Sequence, residues 1–553
     1  MNNSNALITQ LFTIRNRYGK QAAHSALWAS EKMQLLNSIN IKTVKNKTAA
    51  ASLYAALLFL IAYPDNKTIY ASANKLLKEL EAHIQSHEKL SYSLYNTGIT
   101  GTTVCAAFSF EMVKWLRKTW PTEIKFNSFE AEDSQIQSML SVVMTKTESE
   151  IFQDENAEWK DWLKQLKKPG EDLLDQFIAI FDRSDIRPEV KDELWNAIGI
   201  NVEINFTSHC CLPASLTKIY YHRSLIRKPI KQHAIQKIIH VKLTPDEAEQ
   251  VIDCSRMILL RNLRELDPIS FSDVKLVNYY QLQRGVSIAL MGLVPDRRHP
   301  IDCYMGYVVF KNGLPVSYAG SWIMFDSARI SLNVFPDYRG GEAKYIFDQA
   351  MQLHTKLYRL KRFTVDPYQV GKENSDAINS GAFWIYYHAG FRPLEKLQRD
   401  LAEAEEIKIR SNKKYRSPAA VLKTLANSRL ELVLQKTAVR FDATDLSRLY
   451  AGILTKKYKG DRQRLEKDAV KKLAGILGLK NYHDENMKFV LKNWGVLLLN
   501  NEKELQSNSA LKRSVKELVS LKAGGSEEAY ITVLQKATRL RSFIDTLLKR
   551  YVG

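Results

Sequence analysis

The chain has 553 residues, 45% hydrophobic and 25% charged, an ordinary globular composition. At roughly 100–200 residues per domain this predicts about three domains, and a core large enough to need no disulfide or metal staple. The five cysteines include no CxxC pair, which argues against structural zinc and a disulfide framework and suits a reducing compartment. The net charge of +20 is uneven: from residue 401 onward there are 31 Lys+Arg against 17 Asp+Glu, a balance of +14, leaving +6 for the first 400 residues. A basic tail of this kind is either an electrostatic footprint for nucleic acid or a lysine-rich solvated helical surface.

The first twenty residues lack an apolar run ending in a small-residue cleavage site, so no signal peptide is read and the expected compartment is the cytoplasm. Residues 1–200 read as a mainly helical domain. Apolar positions recur at three- and four-residue spacing over Lys47–Tyr63, Ile69–His83, Val104–Leu116 and Asp172–Phe181. The longest apolar run, Ala49–Tyr63, is shorter than the roughly 20 residues of a membrane span, so a buried helix and no membrane are expected. Asn96–Thr103, with Gly98 and Gly101, superficially resembles a phosphate loop but lacks its Lys-Ser/Thr, and reads as a turn between helices. Thr244-Pro-Asp-Glu predicts a capped helix start.

From about residue 285 the pattern switches to strands: Val286–Val294, Cys303–Lys311, Leu314–Phe325 and Ile330–Phe335. Asn312-Gly313 between two of them is a strong hairpin signal, because both central residues need positive φ. A helix over Glu342–Leu360, a short strand at Phe363–Asp366, a helix over Asp376–His388 and a last strand at Phe391 follow. That order implies antiparallel strands succeeded by a parallel pair with a helical crossover. After about residue 400 the chain reads as helical again.

Pro336-Asp-Tyr-Arg-Gly-Gly-Glu-Ala343 sits between a strand and a long helix. Free N–H groups at a helix start, with Gly340 and Gly341 removing side-chain bulk, make a natural anion site, although such a turn also serves purely steric ends. Val334-Phe-Pro followed by Tyr338-Arg-Gly-Gly-x-Ala343 resembles the pyrophosphate motif of the GNAT (N-acetyltransferase-like) superfamily, with Tyr338 at the family's Gln/Arg position. Asn374-Ser-Asp-Ala377 and Tyr386-Tyr-His-Ala-Gly-Phe391 resemble its second motif, lengthened by five residues around Ile378–Trp384.

The resemblance covers residues 285–395. It implies an α+β fold: a GNAT-like mixed sheet with a central splayed parallel strand pair, within 201–400, flanked by the helical domain 1–200 and the basic helical domain 401–553. The implied activity is acyl transfer from acetyl-CoA or another acyl-CoA to an amine acceptor by direct attack, with no metal. Asn333, Val334 and Phe335 would pair with the pantetheine amides. Tyr338, Arg339, Gly340, Gly341, Glu342 and Ala343 would form the diphosphate turn, with Glu342 also explained as an acid favouring the helix start. Asn374 would touch the pantetheine arm. Tyr386 would protonate the departing thiolate, its plain alternative being a core aromatic. Asp326 would be the base, its plain alternative a turn residue. Two other readings keep the fold: an aminoacyl-tRNA-using GNAT-like transferase, and a non-catalytic GNAT-like binding module with a nucleic-acid-binding tail in 401–553.

Overall fold

The computed structural model describes residues 3–17, 26–154, 158–182, 186–226, 237–412, 414–436, 439–480 and 482–551. The fold is α+β. Helix α1 (Lys47–Ala62) begins where the Asn46 side chain accepts from the Ala49 N–H, and nearly every side chain from Ala49 onward is buried. A helix so apolar on all sides belongs inside a core. Among the described residues no helix is long and apolar enough to cross a membrane.

The expected helix over Val104–Leu116 is instead strand β1 (Thr103–Ala107) followed by a helix over Phe110–Thr119. With β2 (Ile124–Phe129) and β3 (Ile200–Asn205), β1 forms a three-stranded antiparallel sheet ordered β1-β3-β2. Only Val104 of β1 is buried, so the strand has no period-two signature of its own, and the helical spacing just after it dominated the sequence pattern. This sheet and the helices around it enclose a separate core built on Trp115, Trp159, Phe177 and Trp195. The first 200 residues are therefore not one helical unit.

Among the described residues the second sheet has ten strands. It begins with β4 (Ile239–Val241), after which helix α2 (Pro245–Arg261) starts with the expected cap, Thr244 Oγ1 accepting from the Glu247 N–H. Then come β5 (Val277–Gln281), β6 (Val286–Gly292), β7 (Cys303–Lys311), β8 (Leu314–Met324), β9 (Ser327–Ile330) and β10 (Asn333–Val334). Asn312 and Gly313 turn the β7–β8 hairpin, with φ of 50° and 84° as the turn requires. Helix α3 (Ala343–Tyr358) crosses to β11 (Arg362–Val365), and helices α4 (Ser375–Ser380) and α5 (Ala382–His388) lead to β12 (Arg392–Pro393). Strand β13 (Leu430–Val433) closes the set, and the order is β12-β13-β11-β9-β8-β7-β6-β5-β4, with β10 pairing β8.

The boundaries expected at residues 200 and 400 do not divide the main core, which runs from Ile8 to Leu547. β13 lies beyond residue 400 yet inserts between β11 and β12. The C-terminal helices dock directly on the sheet: Lys522 of α6 (Ser509–Gly524) is buried, its Nζ donating to the Asp302 carbonyl and to Glu527 at 2.7 Å each. Tyr530 of α7 (Glu527–Lys536) donates to the Ile301 carbonyl. Part of the basic charge of this region is thus spent inside the fold.

Candidate active site

β9 and β11 run parallel over three residue pairs, from Ser327 opposite Arg362 to Arg329 opposite Thr364. After Ile330 the chain shifts. β10 pairs only with β8, Asn333 opposite Tyr318 and Val334 opposite Ser317, so the expected strand Ile330–Phe335 is two short strands and its second half parts from β11. Backbone polar groups at such a break need partners, and two tyrosines supply them. The Tyr307 hydroxyl donates to the Ser331 carbonyl, while the Tyr386 hydroxyl accepts from the Leu332 N–H at 3.2 Å.

Tyr386 is held there by a corner between α4 and α5. The single helix expected over Asp376–His388 breaks at Gly381, whose φ is +65°, so the extra residues around Ile378–Trp384 are accommodated as that corner. The ring packs edge-on against Phe347, 5.2 Å between centroids, and against Phe391. Burial raises its phenol well above the ordinary tyrosine value, so the hydroxyl keeps its proton at neutral pH. Tyr386 is at once a core aromatic and a protonated hydroxyl at the strand parting.

The turn before α3 is more closed than its sequence implies. The N–H groups of Arg339, Gly341 and Glu342 already donate within the chain, to the Pro336 carbonyl, the Tyr338 carbonyl and the Tyr63 hydroxyl. A diphosphate resting on every N–H from Arg339 to Ala343 is therefore corrected to a smaller cradle. Gly340 has φ +87°, and a Cβ there would meet nothing within 4 Å. Gly341 is the reverse: a Cβ there would stand 2.6 Å from the Tyr63 ring, so only glycine lets α1's end approach the turn. The Arg339 guanidinium is bidentate to Asp376, at 3.1 and 2.7 Å, and its Nε reaches the Val334 carbonyl at 3.4 Å. Tyr338 and Phe335 are buried, Phe335 stacking on Tyr318.

Glu342, expected at the helix start as an acid or as part of the phosphate turn, has another place. Its carboxylate instead anchors a buried ion cluster, 2.5 Å from Arg284 Nη2 and 2.7 Å from Lys311 Nζ, and it accepts from the Ile226 N–H. Burial opposes its charge, but the two cations hold its carboxyl below the usual range. Lys311 is pushed down to about 8 by burial, against the pull of Glu342. The sequence shows no spacing that links Arg284, Lys311 and Glu342, since the β5–β6 turn, the end of β7 and the start of α3 meet only in the folded sheet.

Two further assignments change. Asn374 caps α4, its side chain accepting from the Ala377 N–H at 3.1 Å and donating to the Tyr368 carbonyl at 3.2 Å, so both ends of the amide are already used. Asp326 lies before β9, where its carbonyl accepts from the Lys361 N–H ahead of β11. That is the end of the parallel pair opposite the Leu332 break. Its carboxylate accepts from the Val439 N–H at 2.8 Å and pairs with Lys361 and Arg541. It is a tether between the sheet and the C-terminal region, not a base beside Tyr386. Cys303 is buried in the core, and among the described residues no group of three or more metal-ligating side chains gathers.

In the C-terminal region, Lys456 reaches the Tyr551 carbonyl, Lys457 the Leu499 carbonyl, and Tyr458 Asp468. These residues of the basic segment 401–553 thus make contacts with its other helices. Comparison with family models, with curated proteins and with solved structures finds no match for this chain.

Proposed function

We propose that the chain is a GNAT-like N-acyltransferase that passes an acyl group from acetyl-CoA or another acyl-CoA to an amine. The observation that carries this reading is the parting of a parallel strand pair at Leu332, directly ahead of a glycine turn and helix, with a protonated tyrosine hydroxyl on the part-buried Leu332 N–H. Acyl-CoA supplies the acyl group already activated as a thioester. Antiparallel pairing turns the backbone groups of Asn333 and Phe335 toward β8 and those of Val334 away from it, so the Val334 N–H can meet an amide of an extended arm, while its carbonyl takes Arg339 Nε. The start of α3 can meet the diphosphate, which favours a helix N-terminus.

In the transfer itself the amine forms the new C–N bond, the C–S bond breaks, and the leaving sulfur takes a proton. Tyr386 holds that proton at its hydroxyl oxygen. The phenol is a weak acid in its buried setting, and becomes an effective donor only as thiolate basicity develops beside it. The attacking amine sheds a proton of its own to solvent, and solvent returns one to Tyr386, since Asp326 stands at the other end of the strands.

A second reading, a binding module that does not catalyse, draws on the same turn, where the N–H groups of Arg339, Gly341 and Glu342 and the Arg339 guanidinium are already engaged. Thermal unfolding of the full chain with acetyl-CoA and with free CoA, alongside release of free thiol in the presence of a panel of primary amines, separates the two. Saturable stabilisation with amine-dependent thiol release supports the transferase. Stabilisation without thiol release favours the binding module, and no stabilisation at millimolar coenzyme removes both.

A further inference from the structure

A cavity of about 160 Å³ lies between α1, the turn Thr97–Ile99, the end of α2 and the segment Phe335–Tyr338. Its most unusual wall is Arg261, the last residue of α2, whose side chain is only 5% exposed. Nη1 donates to the Gly98 carbonyl at 3.4 Å and to Thr100 Oγ1 at 3.0 Å, Nη2 donates to the Ser208 carbonyl, and the guanidinium lies 4.6 Å from the Phe206 ring centre. All of these partners are neutral. Among the described residues Arg261 makes no ion pair, and its Nε–H is buried without an acceptor. A guanidinium taken out of water needs an opposing charge, because neutral hydrogen bonds do not replace its lost hydration.

The other walls limit what that charge can be. Ile99, Ile258, Leu58 and Phe335 make much of the cavity apolar. Its volume is close to the roughly 150 Å³ that holds a benzene-sized molecule. His209 adds a second cation: burial opposes its protonation, but the neighbouring Cys211 and the Glu81 carboxylate at 3.2 Å raise it to about 9, so it balances Glu81. Asp337 also lines the cavity, and its charge, like those of Glu81 and Arg261, acts on the buried Tyr54 hydroxyl, but neither carboxylate forms an ion pair with the guanidinium among the described residues. Gly98 belongs to the construction, since a Cβ there would strike the Arg261 carbonyl.

We propose that this cavity binds a small monocarboxylate with a short apolar tail, its carboxylate on the Arg261 guanidinium and its tail against Ile99, Ile258 and Phe335. The site stands independently of acyl transfer. It adjoins the segment that leads into the glycine turn, so an occupant braces Phe335–Tyr338 from beneath.

The test uses the full chain with butyrate, with 1-butanol as the uncharged counterpart and inorganic phosphate as the anion without a tail. Titration calorimetry and thermal unfolding should show saturable binding and stabilisation by butyrate only. Arg261→Lys should retain binding and Arg261→Gln should weaken it at least tenfold. Should the Arg261 variants fail to fold, Ala51→Leu fills the cavity from α1 and should abolish binding. In the unaltered chain, butyrate should also slow iodoacetamide labelling of Cys210, which lines the cavity, relative to Cys211, which does not. The proposal is overturned if butyrate gives no saturable effect or butanol or phosphate matches it. It is equally overturned if Ala51→Leu binds unchanged or Cys210 labelling does not slow.

Discussion

The Leu332 N–H points at the Tyr386 hydroxyl where the chain beyond β9 leaves β11, and the two are 3.2 Å apart. One hydrogen bond therefore ties the strand parting to the helix that carries the candidate acid. Tyr386→Phe removes the hydroxyl and leaves a buried N–H without a partner, at a cost of about 1 kcal/mol or somewhat more. If the hydroxyl also protonates the leaving thiolate, amine-dependent thiol release should fall about a hundredfold or more, with coenzyme binding little changed. Kinetics and calorimetry on the same preparation check this. A variant that loses stability but turns over normally would show that Tyr386 is structural alone.

Gly341 and Tyr63 make the second prediction. The Cβ of Gly341→Ala would meet the Tyr63 ring at 2.6 Å, and the Tyr63 hydroxyl also accepts from the Glu342 N–H. Overpacking of this kind costs about 1–3 kcal/mol. Gly341→Ala should therefore lower the unfolding midpoint and remove the acetyl-CoA shift. Adding Tyr63→Ala should return the coenzyme shift, because the clash is with that ring. A double variant still blind to coenzyme would mean that the turn fails for another reason.

Which parts of this were legible in the sequence follows from how local each signal is. The β7–β8 hairpin is written in two adjacent residues, Asn312 and Gly313, and α2 in Thr244-Pro245, so both appear where expected. The break between β9 and β10 is set by where Tyr307 and Tyr386 can reach, and Tyr386 is 54 residues from Leu332. No window of sequence holds that relation. The same is true of the Arg284–Glu342–Lys311 cluster and of β13, which joins the sheet only because Leu430–Val433 can pair with β11 from beyond the expected boundary. Asn374 shows the opposite error: a residue type that caps helices was given to a ligand by motif alone.

Glu342→Gln should be far more damaging than an exposed charge change. It leaves Lys311 and Arg284 buried without their carboxylate, and breaking one side of a buried ion cluster costs about 3–5 kcal/mol. Equilibrium denaturation measures this. Pairing Glu342→Leu with Lys311→Met should recover much of the loss, since the uncompensated lysine charge goes with the carboxylate. A double variant as unstable as the single one would place the cost elsewhere.

His354 sets an acid limit on the fold. It is buried with Nδ1 on the Ala350 carbonyl at 2.8 Å, so Nδ1 carries the proton and Nε2 accepts from Ser321 Oγ at 3.0 Å. Burial lowers its pKa to about 4 from the ordinary 6.5, so the fold holds the neutral ring while the unfolded chain takes up a proton. The unfolded state binds more protons between those values, so the stability is present above about pH 6.5 and is lost as pH falls toward 4. The difference of roughly two and a half pH units corresponds to about 3 kcal/mol. Denaturation midpoints of the full chain and of His354→Gln across pH 4–7 test it, and the variant's profile should be flatter by about that amount. Parallel profiles would remove His354 from the acid response.

Asp326→Asn separates a tether from a base. Asn keeps an oxygen for the Val439 N–H but loses the charge that meets Lys361 and Arg541, at 3.2 and 3.7 Å. Both cations are partly exposed, so the loss should be modest, on the order of 1 kcal/mol. Because the carboxylate lies at the opposite end of β9 from Leu332, thiol release at saturating amine should stay within about twofold of the unaltered chain. Its pH profile should also keep its shape. A large fall in rate with loss of the acidic limb would return Asp326 to the role of base, and would require the amine to approach from the Lys361 end of the strands.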